Sequence, residues 1–482
     1  MQHRRFTPES FGFTIDAFRK HPIPHVKSGA LPGIHLLPVS WRSLAQGLWQ
    51  HGLITGVSKD RFTVGETEFV AFKTSKVIEK NTTDGHLLGA PAHGMSTYAE
   101  EAISKALGEC LERYPFVLYR NNSLLSASVA DLEVMDCDHI NPEQICRFSK
   151  EQKEWFPNRA FDTKSIFRWV EAVSLIDKRK VYVPAQCVFW NYCTHNHRSH
   201  SDSGSSVEPY LAESNTSGLG AYFNFEGAML SGIYEIVQRD GFFLHWLNGH
   251  PPSQIDISEL DDPVITGLVE QAADDGLSIT FLDTTTEVGI PSCICVAVSS
   301  APERAYLTFG AGCSLDAVGA LQDALFEGFQ FRNWIEKNNY RYQIPQDYIP
   351  FRTAGIAHGE RTGLWALAGR KDADFFFNGA RIPVAQFLAR GRVTDSLVHE
   401  LDCVTDIFRR LGQDYEPFFY RADSPILASL GFESVRIIIP KLLSFYIHEE
   451  DAPLGSPRLR EAPLHLEFSP ATALNPVPHP FL

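Results

Sequence analysis

Apolar residues recur every three to four positions in three separate stretches of the chain, and each stretch is entered through a glycine-bearing segment. That period marks one buried face of a helix. GAPAHGMSTYAEEAISKALGECLERYPF predicts a helix from about residue 97 to residue 113. Residues 213–246 predict a Ser/Asn/Gly-rich loop running into a long helix, packed through Met229, Leu230, Ile233, Ile236 and Val237. GAGCSLDAVGALQDALFEGFQFRNW predicts a third loop–helix unit. Runs near 166–173, 181–190, 278–283, 293–299 and 305–309 read as strands. A further helix is predicted near 394–411 and a buried strand at 435–440. The class this order predicts is α/β.

The three helices carry the same polar inset. Glu109 is followed by Glu112, Glu235 by Gln238 and Glu327 by Gln330, each three residues on and so on the same helical face. An alanine precedes each first glutamate by seven residues (Ala102, Ala228, Ala320), which leaves room for a close neighbour on the acid's face. Arginines follow at Arg113, Arg239 and Arg332. One such pair is ordinary on a solvated helix; three in register behind glycine segments point to a shared pocket. Charged groups on a packed helix need partners, because an unpaired buried charge is costly. Mg²⁺ takes hard oxygen ligands and bridges nucleotide phosphates, and the arginine fork suits phosphate.

Composition narrows the picture. A net charge of −15 argues against nucleic acid or an anionic membrane as partner, yet leaves room for a locally cationic nucleotide site. The nine cysteines are scattered without a CxxC pair, so neither a disulfide framework nor a cysteine zinc knot is predicted. No stretch approaches the ~20 apolar residues of a membrane span, and no apolar core follows the basic N-terminus. A reducing, cytoplasmic setting is expected. Cys193, His195, His197 and His200 lie close together, but in a Ser- and His-rich stretch that reads as solvated loop.

The three units resemble the ATP-binding motifs of the YcaO superfamily. SGLGAYFNFEGAMLSGIYEIVQRD resembles its S-N-G-x-A-x-G…E-A…A-L-x-E-x-x-E-R-D signature, ALGECLERY its A-L-x-E-x-x-E-R unit, and ALQDALFEGFQFR its A-L-x-E-x-x-Q-x-R unit. WVEAVSL, VPAQCVFWNY, LDTTTEVGIP, VRIIIP and LGSPRL follow in the family's order, so the likeness covers roughly residues 80–482. It implies a fold of mixed sheets in which three loop–helix units converge on a nucleotide pocket. The parts would be an α/β lead-in over 1–75, an ATP-binding core over 76–345 and a C-terminal portion over 346–482.

What the resemblance implies chemically is an ATP- and Mg²⁺-dependent cyclodehydratase. It would phosphorylate backbone amides of a ribosomal precursor peptide and form thiazoline or oxazoline rings from Cys, Ser or Thr. Glu109, Glu112, Glu235 and Glu327 would hold Mg²⁺ or nucleotide. Arg113 and Arg239 would contact phosphate, with Ser217, Gln238, Gln330 and Arg332 completing the pocket. The ending NPVPHPFL carries the PxPxP feature of azoline-forming members, implying a catalytic role for Pro476, Pro478, Pro480 and Leu482 at the chain end. Four positions depart from the pattern: Gln238 for a second glutamate, Gly227 beside a displaced Glu226, Lys105 for a small serine, and Met95 in place of a Gly-Lys-Gly loop. Lys105 would then supply the phosphate contact of the missing loop lysine. Because the motifs begin within the first hundred residues, a separate E1-like, leader-binding partner is expected, with a flavin-dependent azoline dehydrogenase and a homodimer as further associations. Two alternatives stay open: a non-catalytic docking scaffold, and a YcaO enzyme using an external nucleophile to make a thioamide or amidine.

Overall fold

A computed structural model describes residues 29–481 except 75–91, 118–122, 191, 193–207, 300, 302–303, 340, 353–357, 368–372 and 467. The Cys193/His195/His197/His200 cluster and Leu482 lie outside the described residues.

Three sheets carry the described strands. The first is antiparallel: β1 (Val57–Val64), β2 (Thr67–Thr74) and β3 (Ala92–Ser96). The second joins β4 (Leu125–Ala127), β5 (Phe167–Ser174), β6 (Lys180–Pro184) and β7 (Leu219–Tyr222) to β13 (Phe418–Arg421) and β14 (Glu433–Ile438), in the order β4-β5-β13-β14-β7 with β6 on β5. The third runs β11 (Leu307–Cys313), β10 (Ser292–Ser299), β9 (Leu277–Asp283), β8 (Ser253–Asp256) and β12 (Arg381–Pro383), with β12 parallel to β8. The three sequence parts are therefore interleaved. β2 of the lead-in pairs with β3 of the core, and β12, β13 and β14 of the C-terminal portion complete sheets begun earlier.

Each sheet is covered by one helix of the repeated inset. α1 (Ala99–Arg113) lies on β3 and β2, α2 (Phe225–Asn248) on β7 and β14, and α3 (Ala317–Asn338) on β11 and β10. Each helix also touches the next unit's sheet: α1 meets β7, α2 meets β11 and β10, and α3 meets β3. This closes a ring of three, and the ring brings distant segments of chain to one place. Caps set the helix starts: the Asn224 side chain accepts from Gly227 N–H, and that of Asp316 from Val318 and Gly319.

The glycines ahead of these helices were read as loop but sit on strands, Gly94 in β3, Gly220 in β7, Gly310 and Gly312 in β11. Glycine in a strand ordinarily weakens it; here it marks close approach of another backbone. The proline-bearing end is ordered as well. His479 and Phe481 are buried against Phe242, Phe243 and Phe445, a few residues from where α2 ends.

Candidate functional site

A Cβ at Gly94 would stand 2.1 Å from the Ala102 carbonyl oxygen. One at Gly220 would be 2.0 Å from that of Ala228, and one at Gly312 1.9 Å from that of Ala320. These are the three alanines that precede the glutamates, so the room they leave is taken up by strand backbone. With helix and strand this close, each glutamate two turns further on reaches an amide of the strand or, at Gly218, of the residue just ahead of it. Glu109 Oε2 accepts from His93 N–H at 2.5 Å, Glu235 Oε2 from Gly218 at 2.7 Å and Glu327 Oε2 from Ala311 at 2.5 Å. The same bond, made three times, fixes three carboxylates on rigid elements.

The second oxygen of Glu109 pairs with Arg113 at 2.5 Å and that of Glu235 with Arg239 at 2.8 Å, four residues on in both helices. The units meet at Glu235. Burial first, then the Glu235 carboxylate, pushes Glu112 up to about 8. Burial also pushes Glu327 up to about 7, against the pull of the Ala311 N–H and Arg239, with Glu235 adding to the rise. Both side chains keep some solvent contact. Glu112 comes from α1, Glu235 from α2 and Glu327 from α3, so acids from all three segments share one electrostatic neighbourhood.

Beside the carboxylates lies a half-open pocket whose wall includes Ser217, Arg239, Glu213, Phe445 and Arg436. None of the four glutamates lines it; Ser217 and Arg239 connect it to them. Ser217 Oγ accepts from Arg239 Nη1, and the Arg239 guanidinium lies 4.3 Å from the centre of the Phe445 ring. Arg436, buried on β14, donates to the Cys187 and Asn215 carbonyls at 3.0 and 2.8 Å. Burial lowers it to about 10, with Glu235 and Glu112 close enough to oppose that fall. Sequence reasoning passed over Arg436, although an arginine inside the apolar run VRIIIP is a visible signal.

Gln238 and Gln330 follow their glutamates on the same helical faces and stay partly exposed. Arg332 is not brought to the cluster. Its Nη2 donates to the Ala305 carbonyl at 2.5 Å, and its Nε lies 3.1 Å from Glu336. It stands five residues past Glu327, not four, which turns it about 100° further round the helix; Phe331 takes the place of the paired arginine. The departures have local reasons. A Cβ at Gly227 would meet the Tyr222 ring at 2.4 Å, Met95 is buried in the core on β3, and Lys105 pairs with Glu101 at 2.9 Å. In the tail, Pro476 is exposed while Pro478 and Pro480 are buried, and Phe481 packs on the Phe445 that stacks on Arg239.

The donor set suits a divalent cation. The four carboxylates share one electrostatic neighbourhood, two of them paired with arginines and two retaining protons well above the usual carboxylate range, although no three of them bring ligand atoms within 4.8 Å of one another as Glu213, His448 and Asp451 do. Hard oxygen ligands in a negatively charged recess are what Mg²⁺ takes. A pH effect follows. Both groups are raised, so the stability they lend the metal-free chain is fullest below the ordinary carboxylate value of 4.5 and is lost as pH rises through about 7 and about 8. Metal must displace those protons, so Mg²⁺ affinity is expected to strengthen over the same interval. Calorimetry in two buffers of different ionisation enthalpy counts the protons released; binding without release, at constant affinity, would remove Glu112 and Glu327 from the ligand set.

A family model described as YcaO cyclodehydratase, ATP- and Mg²⁺-binding, matches residues 93–443. An uncharacterised protein of Methanothermobacter thermautotrophicus is 29% identical over 240 residues, half of this chain and 56% of that protein, so the chain spans about half the length of the curated relative it matches. A heterocyclase in complex with substrate and cofactor superposes with a TM-score of 0.70 at 19% identity, over 99% of this chain and 60% of the other. The YcaO of Methanopyrus kandleri bound with AMPPCP and Mg²⁺ gives 0.56 at 18%, over 83% and 88%. The E. coli microcin synthetase McbBCD complex gives 0.55 at 12%, over 88% and 97%. At these identities the solved structures establish the mixed α/β fold.

Proposed function

The chain belongs to the YcaO family, whose cofactors are ATP and Mg²⁺, and from that premise we propose that it is an ATP-dependent cyclodehydratase of ribosomal precursor peptides. The single observation that carries the reading is Glu235, whose charge reaches Glu112 on one neighbouring unit and Glu327 on the other. Acids meeting from three separated segments serve one multiply charged ligand better than three independent surface roles.

In this reading Glu109, Glu112, Glu235 and Glu327 hold the metal, with Gln238 and Gln330 as neutral oxygen donors at the rim. Bound Mg²⁺ supplies charge neutralisation on the triphosphate. Arg113 and Arg239, already oriented by their glutamates, face the phosphates, and Ser217 fixes the Arg239 fork. The side chain of a Cys, Ser or Thr adds to the preceding carbonyl of the peptide. Its oxygen then takes the terminal phosphoryl group of ATP, with ADP leaving. The addition has already closed the ring and released the thiol or hydroxyl proton; phosphate then leaves as the nitrogen gives up its proton and the ring C=N bond forms, since an amide oxygen leaves readily only once phosphorylated. The chain's contribution is positioning and charge, which is most of what phosphoryl transfer needs.

The segment with Pro476, Pro478 and Pro480 is proposed to serve the site wall, supported by Phe445 standing between Phe481 and Arg239. A precursor peptide and a leader-binding partner are the proposed associates. A flavin-dependent dehydrogenase and a homodimer complete the proposed set. Among the described residues no helix is long and apolar enough to cross a membrane.

The test is to co-express the chain with candidate precursor and partner proteins from neighbouring reading frames and weigh the peptide. Loss of one water per ring, with phosphate released, is the expected result. Exchange of oxygen for sulfur would move the assignment to thioamide formation, and absence of any phosphate release would favour the scaffold.

A further inference from the structure

Proline has no N–H, so a segment reading Pro-Val-Pro-His-Pro cannot extend a sheet on both its edges and must be held largely through its carbonyls. Four successive carbonyls are each met by a side chain from the body of the protein. Tyr348 Oη donates to Pro476 at 3.3 Å, Trp246 Nε1 to Val477 at 3.1 Å, Trp365 Nε1 to Pro478 at 3.1 Å and Arg361 Nη1 to His479 at 3.3 Å. One donor per residue fixes the segment's register, because a slip by one position would break all four bonds together.

Arg361 differs from the other three donors. It is fully buried on the helix His358–Trp365, its Nη1 lies 2.6 Å from Glu449 Oε1, and its Nη2 donates to the Ile447 carbonyl. Residues 445–449, which it grips, face two ways. Toward the chain end, the Tyr446 carbonyl accepts from His479 Nε2 at 2.9 Å. Toward the pocket, the Phe445 carbonyl accepts from Asn215 at 2.7 Å and Ile447 N–H donates to Glu213 at 2.5 Å. Glu213 and Asn215 both line the pocket, as does Phe445. One short segment thus carries the pocket loop on one side and the chain end on the other, and the Arg361–Glu449 pair ties it to His479.

We infer that Arg361, charge-paired with Glu449, is a positioning residue that sets the register of the C-terminal segment 475–481 against the pocket loop. It touches no reacting group; it acts through His479 and Ile447. The inference deepens the proposed function, since the value of that register rests on the tail serving the site.

Phe481 is buried, so an exopeptidase can release it only after the segment undocks. The chain is digested with carboxypeptidase Y, which cleaves beside proline, and weighed intact over time; Leu482 leaves first, and the release of Phe481 from Pro480 is then followed. Arg361→Met with Glu449→Met removes both charges together and orphans neither. It is expected to release Phe481 about tenfold faster than the wild type, as a locally opened segment does. Trp365→Phe, which loses the donor to Pro478 and trims a buried ring packed edge-on against Trp246, is expected to accelerate release to a smaller degree and carries the test by itself if the double variant does not fold. A positioning role leaves the thermal midpoint and Mg·ATP affinity at their wild-type values while release quickens; a merely structural role lowers the midpoint and the affinity as release quickens, and counts against the inference. Wild-type release of Phe481 in the folded variants overturns it. Failure of the wild-type chain to bind Mg·ATP in the same samples would sink the functional reading instead, leaving the release rates to decide the anchoring.

Discussion

Glu235→Gln is expected to reduce ATP turnover by about 100- to 1,000-fold, the cost of losing one electrostatic contact that matters most as charge develops, while the chain stays folded. The amide oxygen of glutamine can still accept from Gly218 N–H, so the link between α2 and its strand survives. What disappears is the charge that orients Arg239 and couples Glu112 to Glu327. Without it both neighbouring carboxyls should titrate closer to the ordinary range, and the metal-free protein should be no less stable than the wild type. Phosphate release from Mg·ATP measures the first effect and a thermal melt the second. Turnover at the wild-type rate would place the metal elsewhere; collapse of the fold would make Glu235 structural.

Gly312→Ala is expected to be the costliest of the methyl additions at Gly94, Gly220 and Gly312. The new Cβ would lie 1.9 Å from the Ala320 carbonyl oxygen and 3.0 Å from Ala324 N, both backbone, so no side chain can swing aside. Strand β11 and helix α3 would have to separate, and the Ala311–Glu327 bond spans that same gap. A loss of about 3 kcal/mol, the upper end for overpacking a core, should appear as a lowered urea midpoint together with weakened Mg²⁺ binding. Gly108→Ala is the internal control. It lies mid-helix in α1 with nothing within 4 Å of its Cβ, so it should gain about 0.5–1 kcal/mol from helix propensity. Equal effects at the two positions would mean that close strand–helix approach is not what the thrice-repeated spacing of glycine and alanine achieves in this chain.

Much of this was legible in the residues. The seven-residue interval between alanine and glutamate predicted a close neighbour on the acid's face, and the neighbour is a strand glycine eight residues earlier in all three units. The helices expected near 97–113 and 394–411 begin and end close to those limits, at Ala99–Arg113 and Leu397–Leu411. Glycine was the misleading signal. GLGAY and FGAGC read as loop because glycine is a poor strand former, yet in both segments it is held in a sheet by what packs on it. Arg332 shows the limit of reading a motif by residue type: the spacing of five to its glutamate carried the information that the arginine itself did not.

The local pattern determined which side chains share a helix face, because a 3.6-residue turn places positions three, four and seven apart together whatever surrounds them. It could not determine that β14, from the far end of the chain, would set Arg436 beside Glu112 and Glu235, or that segment 445–449 would carry both the pocket loop and the chain end. Those placements come from strands and loops pairing across more than two hundred residues, and such pairing is chosen by the fit of whole surfaces, for which no short stretch of sequence holds the terms. The acids were placed locally on three helices; the ring of three sheets brought those helices together.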